Sequence, residues 1–85
     1  MAYNLAFGSS QAMTVGTAYP NVIAGGDIPV QGFIASISTA GNAVVQLEDG
    51  SQMTLQLVVG SNYFPGLQVL KVVSQTAVGT YYQLG

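Results

Sequence analysis

Residues 43–59 read AVVQLEDGSQMTLQLVV, and this stretch decides the fold. Apolar and polar residues alternate on both sides of Asp49-Gly50, which is the period of a strand with one buried face. The Asp-Gly pair suits a two-residue hairpin turn, because both residue types tolerate a positive φ. The stretch therefore predicts an antiparallel hairpin with strands over residues 43–48 and 52–59.

The same strand pattern continues on both sides of this hairpin. Further strands are predicted over residues 31–38, 67–74 and 80–84, and a loop is predicted to open at residues 60–62. Gly, Pro, Asn and Asp interrupt the chain every 8–12 residues or so, which is the spacing of a sandwich or barrel. Because no 3.6-residue period is sustained, we expect an all-β fold, a small antiparallel β-sandwich or barrel of about five to seven strands.

The chain has 85 residues, enough for a single domain. Residues 27–85 are predicted to form the β-sandwich core, and residues 1–26 to form N-terminal strands or an arm. Tyr3, Leu5 and Phe7 alternate with smaller residues, which indicates one short strand, and residues 12–18 indicate another. A strand that belongs to this chain and an arm that orders only on a neighbouring subunit are equally compatible with this pattern.

The scarcity of charge is the most informative feature of the composition. Charged residues make up 5% of the chain, against about 25% in an ordinary soluble domain. The four are Asp27, Glu48, Asp49 and Lys71. Such a surface suits a protein that works inside an assembly. A single basic residue argues against nucleic acid as a partner, because phosphate neutralisation needs several, and against an anionic membrane surface.

The sequence also argues against targeting and catalytic roles. Residues 1–4 lack the basic region of a signal peptide, and no apolar run approaches the ~20 residues of a membrane helix, so neither is expected. The chain contains no His and no Cys, which removes the commonest general base, the thiolate nucleophile, disulfides and the usual zinc ligands. We expect a protein that is not an enzyme and needs no cofactor or metal.

Glu48 and Asp49 are the acidic pair at the predicted hairpin tip. Carboxylates at a turn are most often solvated side chains that stabilise the turn itself. A weak calcium site at the same tip, completed by loop carbonyl groups, is the alternative interpretation.

The strand predicted over residues 67–74 does not alternate cleanly. Leu67, Val69 and Val73 would share a face with Lys71, while Leu70 and Val72 would lie opposite. Apolar residues on both faces indicate burial on both sides, and a small chain has little of its own to cover the second face. A neighbouring subunit is the expected cover.

Tyr81 and Tyr82 are adjacent on the last predicted strand, so one ring should point inward and one outward. An outward tyrosine can anchor an interface or form a carbohydrate platform. The predicted oligomer interface comprises Leu70, Val72, Tyr81 and Tyr82.

Five short motifs between residues 32 and 84 resemble those of a known family. They are Gly41-Asn42, Asp49-Gly50, Pro65-Gly66, the Val-Leu-Lys-Val run that starts at Val69, and residues 76–80, which read TAVGT. In this order, and followed by the closing aromatic strand, they resemble the small head-decoration and spike-base proteins of tailed phages and gene transfer agents. Lys71 stands at the basic position of the family's Val-x-Arg/Lys-Val strand, and residues 1–30 carry no such match.

This resemblance implies a non-enzymatic virion protein on the outer capsid surface. Such a protein would bind the major capsid protein as a homo-oligomer, cementing the shell or carrying a spike or fibre protein. A trimer or a pentamer is expected, because a capsid offers those symmetries at its three-fold positions and its vertices.

Two other classes of function fit the composition. A small adhesion or carbohydrate-binding module of a phage tail fibre would place outward aromatic rings together in one pocket or strip. A subunit of a protein cage or surface layer outside any virus would share the low charge and the strands that are apolar on both faces.

Overall fold

The computed structural model describes residues 9–23 and 28–85 of the chain. These residues form nine strands: β1 (Ser10–Met13), β2 (Val22–Ile23), β3 (Ile28–Pro29), β4 (Gly32–Thr39), β5 (Gly41–Leu47), β6 (Gln52–Leu57), β7 (Gly60–Pro65), β8 (Val69–Gln75) and β9 (Val78–Leu84). The strand predicted from Tyr3, Leu5 and Phe7 lies outside the described residues. Within the described ranges, no helix is long and apolar enough to cross a membrane.

The strands form two larger sheets and one small one, and every pairing is antiparallel. One sheet has four strands in the order β1-β9-β4-β7, and the other has three in the order β6-β5-β8. β2 and β3 pair separately over two residues each. The predicted all-β antiparallel class is confirmed. The nine strands exceed the five to seven expected, partly because β2, β3 and β7 were not predicted as strands.

The core lies between the two larger sheets. β4 contributes Phe33, Ala35 and Ile37, the three residues that alternation places on one face. The Phe33 ring stacks on Tyr81 of β9, with centroids 6.0 Å apart. Across the gap, the buried Gln83 amide donates a 2.9 Å hydrogen bond from Nε2 to the Val69 carbonyl oxygen, which ties β9 to β8.

The central hairpin forms where it is predicted, but its loop has three residues instead of two, because Leu47 N–H donates to the Ser51 carbonyl oxygen and Gly50 N–H donates to that of Leu47. Val45 pairs with Met53 across β5 and β6, and Asp49-Gly50 lies at the tip. Gly50 has φ 88°, the left-handed region, but no described non-glycine residue has a positive φ, so the expectation that Asp49 also adopts one is wrong. Asp49 Oδ1 accepts hydrogen bonds from both the backbone N–H and the hydroxyl of Ser51.

One predicted loop is a strand. Residues 60–62 begin β7, which pairs with β4 from Ile37↔Gly60 to Gly32↔Pro65. The Gly-Ser-Asn sequence is typical of a turn, but pairing with a strand distant in sequence outweighs this local preference. The other predicted strands agree with β4, β5, β6, β8 and β9 to within two residues at each end.

The face assignment predicted for β8 is wrong, because β8 contains two bulges. Val45 pairs with Val72 and Leu47 with Val69, so the register against β5 skips Val73 and Leu70. Each skipped residue reverses the alternation from that point onward. Val69 and Val72 therefore both face the core, although strict alternation would place them on opposite faces.

Residues 10–19 close one side of the sandwich. They pair first with β9, as β1, and then cross to the outer edge of β8. Gly16 N–H donates to the Val72 carbonyl oxygen at 2.7 Å, and Tyr19 N–H donates to that of Leu70 at 2.8 Å. This segment, partly predicted as a strand over residues 12–18, lies against both sheets of its own chain.

Two of the motifs that carry the family resemblance meet in space. The backbone N–H groups of Thr76 and Ala77 both donate to the Asn42 carbonyl oxygen. In return, Asn42 N–H donates to Thr76 Oγ1 at 2.9 Å. These bonds give the Gly41-Asn42 and Thr76 segments a structural role, since they join the start of β5 to the turn before β9.

Replacing Gly50 should test the turn. A Cβ atom at this position would meet no atom within 4 Å, so the effect of a substitution comes from the backbone alone. We expect Gly50→Val to lower the free energy of unfolding by about 1–2 kcal/mol, and Gly50→Asn to cost less, because Asn tolerates positive φ. Urea midpoints of the two variants and the parent protein measure this. Equal urea midpoints for Gly50→Val and Gly50→Asn would contradict a positive φ at this position.

Candidate functional site

The structure does not bring the four predicted interface residues together on one surface. Val72 and Tyr81 are 0% and 1% exposed and belong to the core, whereas Leu70 and Tyr82 are half-buried. Residues 16–19 of the same chain also cover the outer edge of β8. Val72 and Tyr81 are therefore corrected from surface to core residues, and burial raises the pKa of the Tyr81 hydroxyl.

Exposed apolar side chains gather on the opposite side of the sandwich. There β6 and β7 are the outermost strands of their sheets, and the corner Val58-Val59 joins them. We call β6, β7 and this corner the open side. It carries four large exposed apolar residues: Met53 (40% exposed), Val58 (64%), Val59 (66%) and Tyr63 (45%). Residues 52–65 contain no charged residue, so this concentration of apolar surface is uninterrupted by charge.

A groove of about 470 Å³ runs along the open side. It is lined by Met53 and Leu55 from β6, by Tyr63, Phe64 and Pro65 from β7, and by Gly66 and Leu67 beyond them. The groove therefore lies between the edges of the two sheets. Its walls are mostly apolar, so it favours an apolar or backbone-pairing occupant.

The side chain of Asn62 holds the corner of the open side. Its Nδ2 donates to the carbonyl oxygens of Val58 (2.8 Å) and Gly60 (3.2 Å), and its Oδ1 accepts from Val58 N–H at 3.0 Å. One amide thus satisfies backbone groups that a tight bend would leave unpaired. The corner is fixed in a shape that keeps the side chains of Val58 and Val59 in solvent.

The strand predicted over residues 52–59 and the loop predicted at residues 60–62 do not include this corner, because β6 ends at Leu57 and β7 begins at Gly60. A usable signal was present, because Val58 and Val59 are adjacent at the end of an alternating strand. Two consecutive apolar residues cannot both point to the same face of a regular strand. No comparable signal marks Asn62, whose bonds depend on how the chain bends.

A second apolar feature crosses the outward face of the four-stranded sheet. Ala12, Tyr82, Ile34 and Tyr63 are paired in one row from β1 to β7. Their neighbours Phe33 and Ala35 are buried, so this row faces away from the core. With strands about 4.8 Å apart, Tyr82 and Tyr63 lie about 10 Å from each other across Ile34. We call these three residues the aromatic row.

The acidic tip is a small polar site. Glu48 and Asp49 line a second cavity of about 410 Å³ together with Leu47, Gly66, Leu67 and Gln68. Hydrogen bonds from the Ser51 hydroxyl and backbone N–H lower the pKa of the Asp49 carboxyl. In the described ranges, no three His, Cys, Asp or Glu residues lie close enough to hold a metal ion. The two carboxylates alone supply few of the roughly six to eight oxygen ligands that calcium takes.

The chain matches no protein-family model, no curated protein and no solved structure. What the protein does must therefore be inferred from its own surfaces, which are the open side, the aromatic row and the acidic tip.

Replacing Asn62 should weaken the corner. Asn62→Ala leaves the Val58 backbone groups without these partners, so we expect a loss of about 1–3 kcal/mol in the free energy of unfolding. The exposed neighbour provides a matched control, since Ser61→Ala should change stability by less than about 0.5 kcal/mol. Urea denaturation measures both, and a parent-like midpoint for Asn62→Ala would show that the amide bonds do not support the corner.

Proposed function

We propose that this protein is a non-enzymatic structural protein of a tailed-phage virion. In this role it decorates or cements the outer capsid surface, or forms the base of a head spike. It binds the major capsid protein as a homo-oligomer and, at a spike base, a spike or fibre protein as well.

The observation that carries this proposal is the open side. Exposed strand edges are normally guarded by charge or proline, whereas here β6 has neither and β7 has only Pro65 at its end. An apolar, uncharged surface of this kind is unusual on a monomeric protein. The composition of the whole chain supports the same role. With 5% charged residues, most of its surface lacks the interspersed charges that keep small domains monomeric and soluble.

The resemblance to head-decoration and spike-base proteins supplies the virion setting. It depends on motifs that are mostly turns, and two of them, at Asn42 and Thr76, bind each other through backbone hydrogen bonds. These motifs favour the proposed fold family, while the exposed apolar surface favours assembly. Together they favour a capsid protein over a cage or surface-layer subunit, because none of the motifs described above indicates the latter.

Capsid binding provides the direct test of this function. Purified protein is mixed with capsids that lack it, taken from the phage whose genome encodes the chain, and the mixture is sedimented. We expect the protein to pellet with the capsids at a saturating, fixed ratio to the major capsid protein. Protein that stays in the supernatant at every concentration would contradict the virion role.

The aromatic row favours one second candidate, a carbohydrate-binding adhesion module. Tyr82 and Tyr63 are paired on either side of Ile34 on the outward face of the four-stranded sheet, and an outward strip of aromatic residues is what this function needs. Aromatic rings present apolar faces to the C–H faces of sugar rings, and the hydroxyl group of Tyr82 can bond sugar hydroxyls.

Polysaccharide binding separates this candidate from the capsid role. If the row binds sugars, affinity electrophoresis in gels that contain host cell-surface polysaccharide should retard the protein. Tyr82→Ala should abolish that retardation, because it removes one of the two rings. Val78→Ala, which trims another exposed residue of β9, is the matched control and should leave it unchanged. Equal mobility with and without polysaccharide would remove the adhesion candidate.

A further inference from the structure

We infer that the open side is a two-fold interface between two copies of this chain. The inference deepens the assembly role proposed above, and rests on it, by naming the surface and the partner. It moves the predicted self-association from β8 to β6, β7 and the Val58-Val59 corner.

The strand edges on the two sides of the sandwich differ in how far the chain covers them. On the closed side, residues 16–19 bond to the outer edge of β8 through the Gly16 and Tyr19 N–H groups. On the open side, β6 and β7 each have a paired strand on one flank only, within the part of the chain that the structure describes. β6 contains neither a charged residue nor proline, so it lacks the usual protection against pairing with another chain.

The position of these two strands favours a two-fold contact. Both line the same groove, so they lie on one side of the molecule. One isologous contact, in which the same patch meets its own copy, covers both edges at once and closes the assembly. A ring of three or five copies needs two different contact surfaces on each chain, so the proposed dimer replaces the trimer or pentamer expected from capsid symmetry.

The area of the open side is at the lower end of the range for specific contacts. β6 has six residues and is about 20 Å long at about 3.4 Å per residue. The molecule measures 25 and 20 Å along its two shorter axes. A wall about 20 Å long and about 20–25 Å wide offers about 400–500 Å² per copy and about 800–1,000 Å² in total, which reaches the size at which specific interfaces begin.

The charge pattern favours a second copy as the occupant. Residues 52–65 carry no charge, so this surface has no electrostatic attraction for a charged partner. For the same reason, two copies of the surface do not repel each other when they meet. The nearest carboxylates that the structure describes, Glu48 and Asp49, lie in the adjoining cavity beyond Gly66 and Leu67. The rigid corner also presents Val58 and Val59 without a large ordering cost, because Asn62 already fixes its backbone.

Native mass tests the inference directly. Sedimentation equilibrium of the isolated full-length protein should give twice the 8.7 kDa of the chain. Val59→Asp should raise the dissociation constant of the dimer by at least about 100-fold, because it would bury an unpaired carboxylate in the contact. Val78→Asp is the matched control, since Val78 is 53% exposed on β9, two strands away from β7. It should leave the dimer intact, and circular dichroism should show that both variants fold.

Four results would overturn the inference, and three of them come from the measurements above. These three are a monomer at every concentration, a trimer or pentamer, and a dimer that Val59→Asp and Val78→Asp weaken equally. A dimer that Leu5→Asp dissociates while Val59→Asp does not would also overturn it, by assigning the contact to the N-terminal segment. Capsid co-sedimentation is measured separately. A dimer that does not bind capsids would therefore support the interface and contradict only the virion role.

Discussion

The crossing of residues 10–19 from one sheet to the other is the constraint on which the rest of the structure depends. The segment pairs with β9 as β1 and then donates hydrogen bonds from Gly16 and Tyr19 to β8. It therefore fixes which edges of the two sheets face each other. Once β1 and β8 share the closed side, β7 and β6 must share the other, and the groove between them follows.

The difference between the closed side and the open side determines where this chain of low charge exposes its apolar surface. A small sandwich has only one layer of core, which here includes Phe33, Tyr81, Val45, Val69 and Val72. Among the described residues, four of the five large exposed apolar side chains lie at the open side, and Val78 of β9 is the fifth. Asn62 holds that corner rigid, so the exposed apolar area belongs to the folded shape and does not reflect local fraying.

The open side and the aromatic row are different faces of one molecule. The open side lies along the strand edges, whereas Tyr82 and Ile34 lie on the flat outward face of the four-stranded sheet. A partner on one face leaves most of the other accessible, and Tyr63 of β7 lies where the two meet. Self-association and attachment to a larger structure are therefore compatible in the same chain, which is the arrangement a capsid-decorating protein needs.

The sequence by itself determined the all-β class, the hairpin at Asp49-Gly50 and the buried face of β4, because alternation and turn chemistry act between near neighbours. It also established the scarcity of charge that favours assembly. Only the tertiary structure decided the two bulges of β8, the closing role of residues 16–19 and the position of the open side. A bulge depends on the register against a strand some 25 residues away, and a strand edge is covered or exposed according to the path of distant segments. Such non-local pairings leave no periodic signal, and the bulges placed Val72, an expected interface residue, in the core. Tyr81 is the inward ring of the alternating Tyr81-Tyr82 pair, so alternation indicated that one of the two would be buried but not which one.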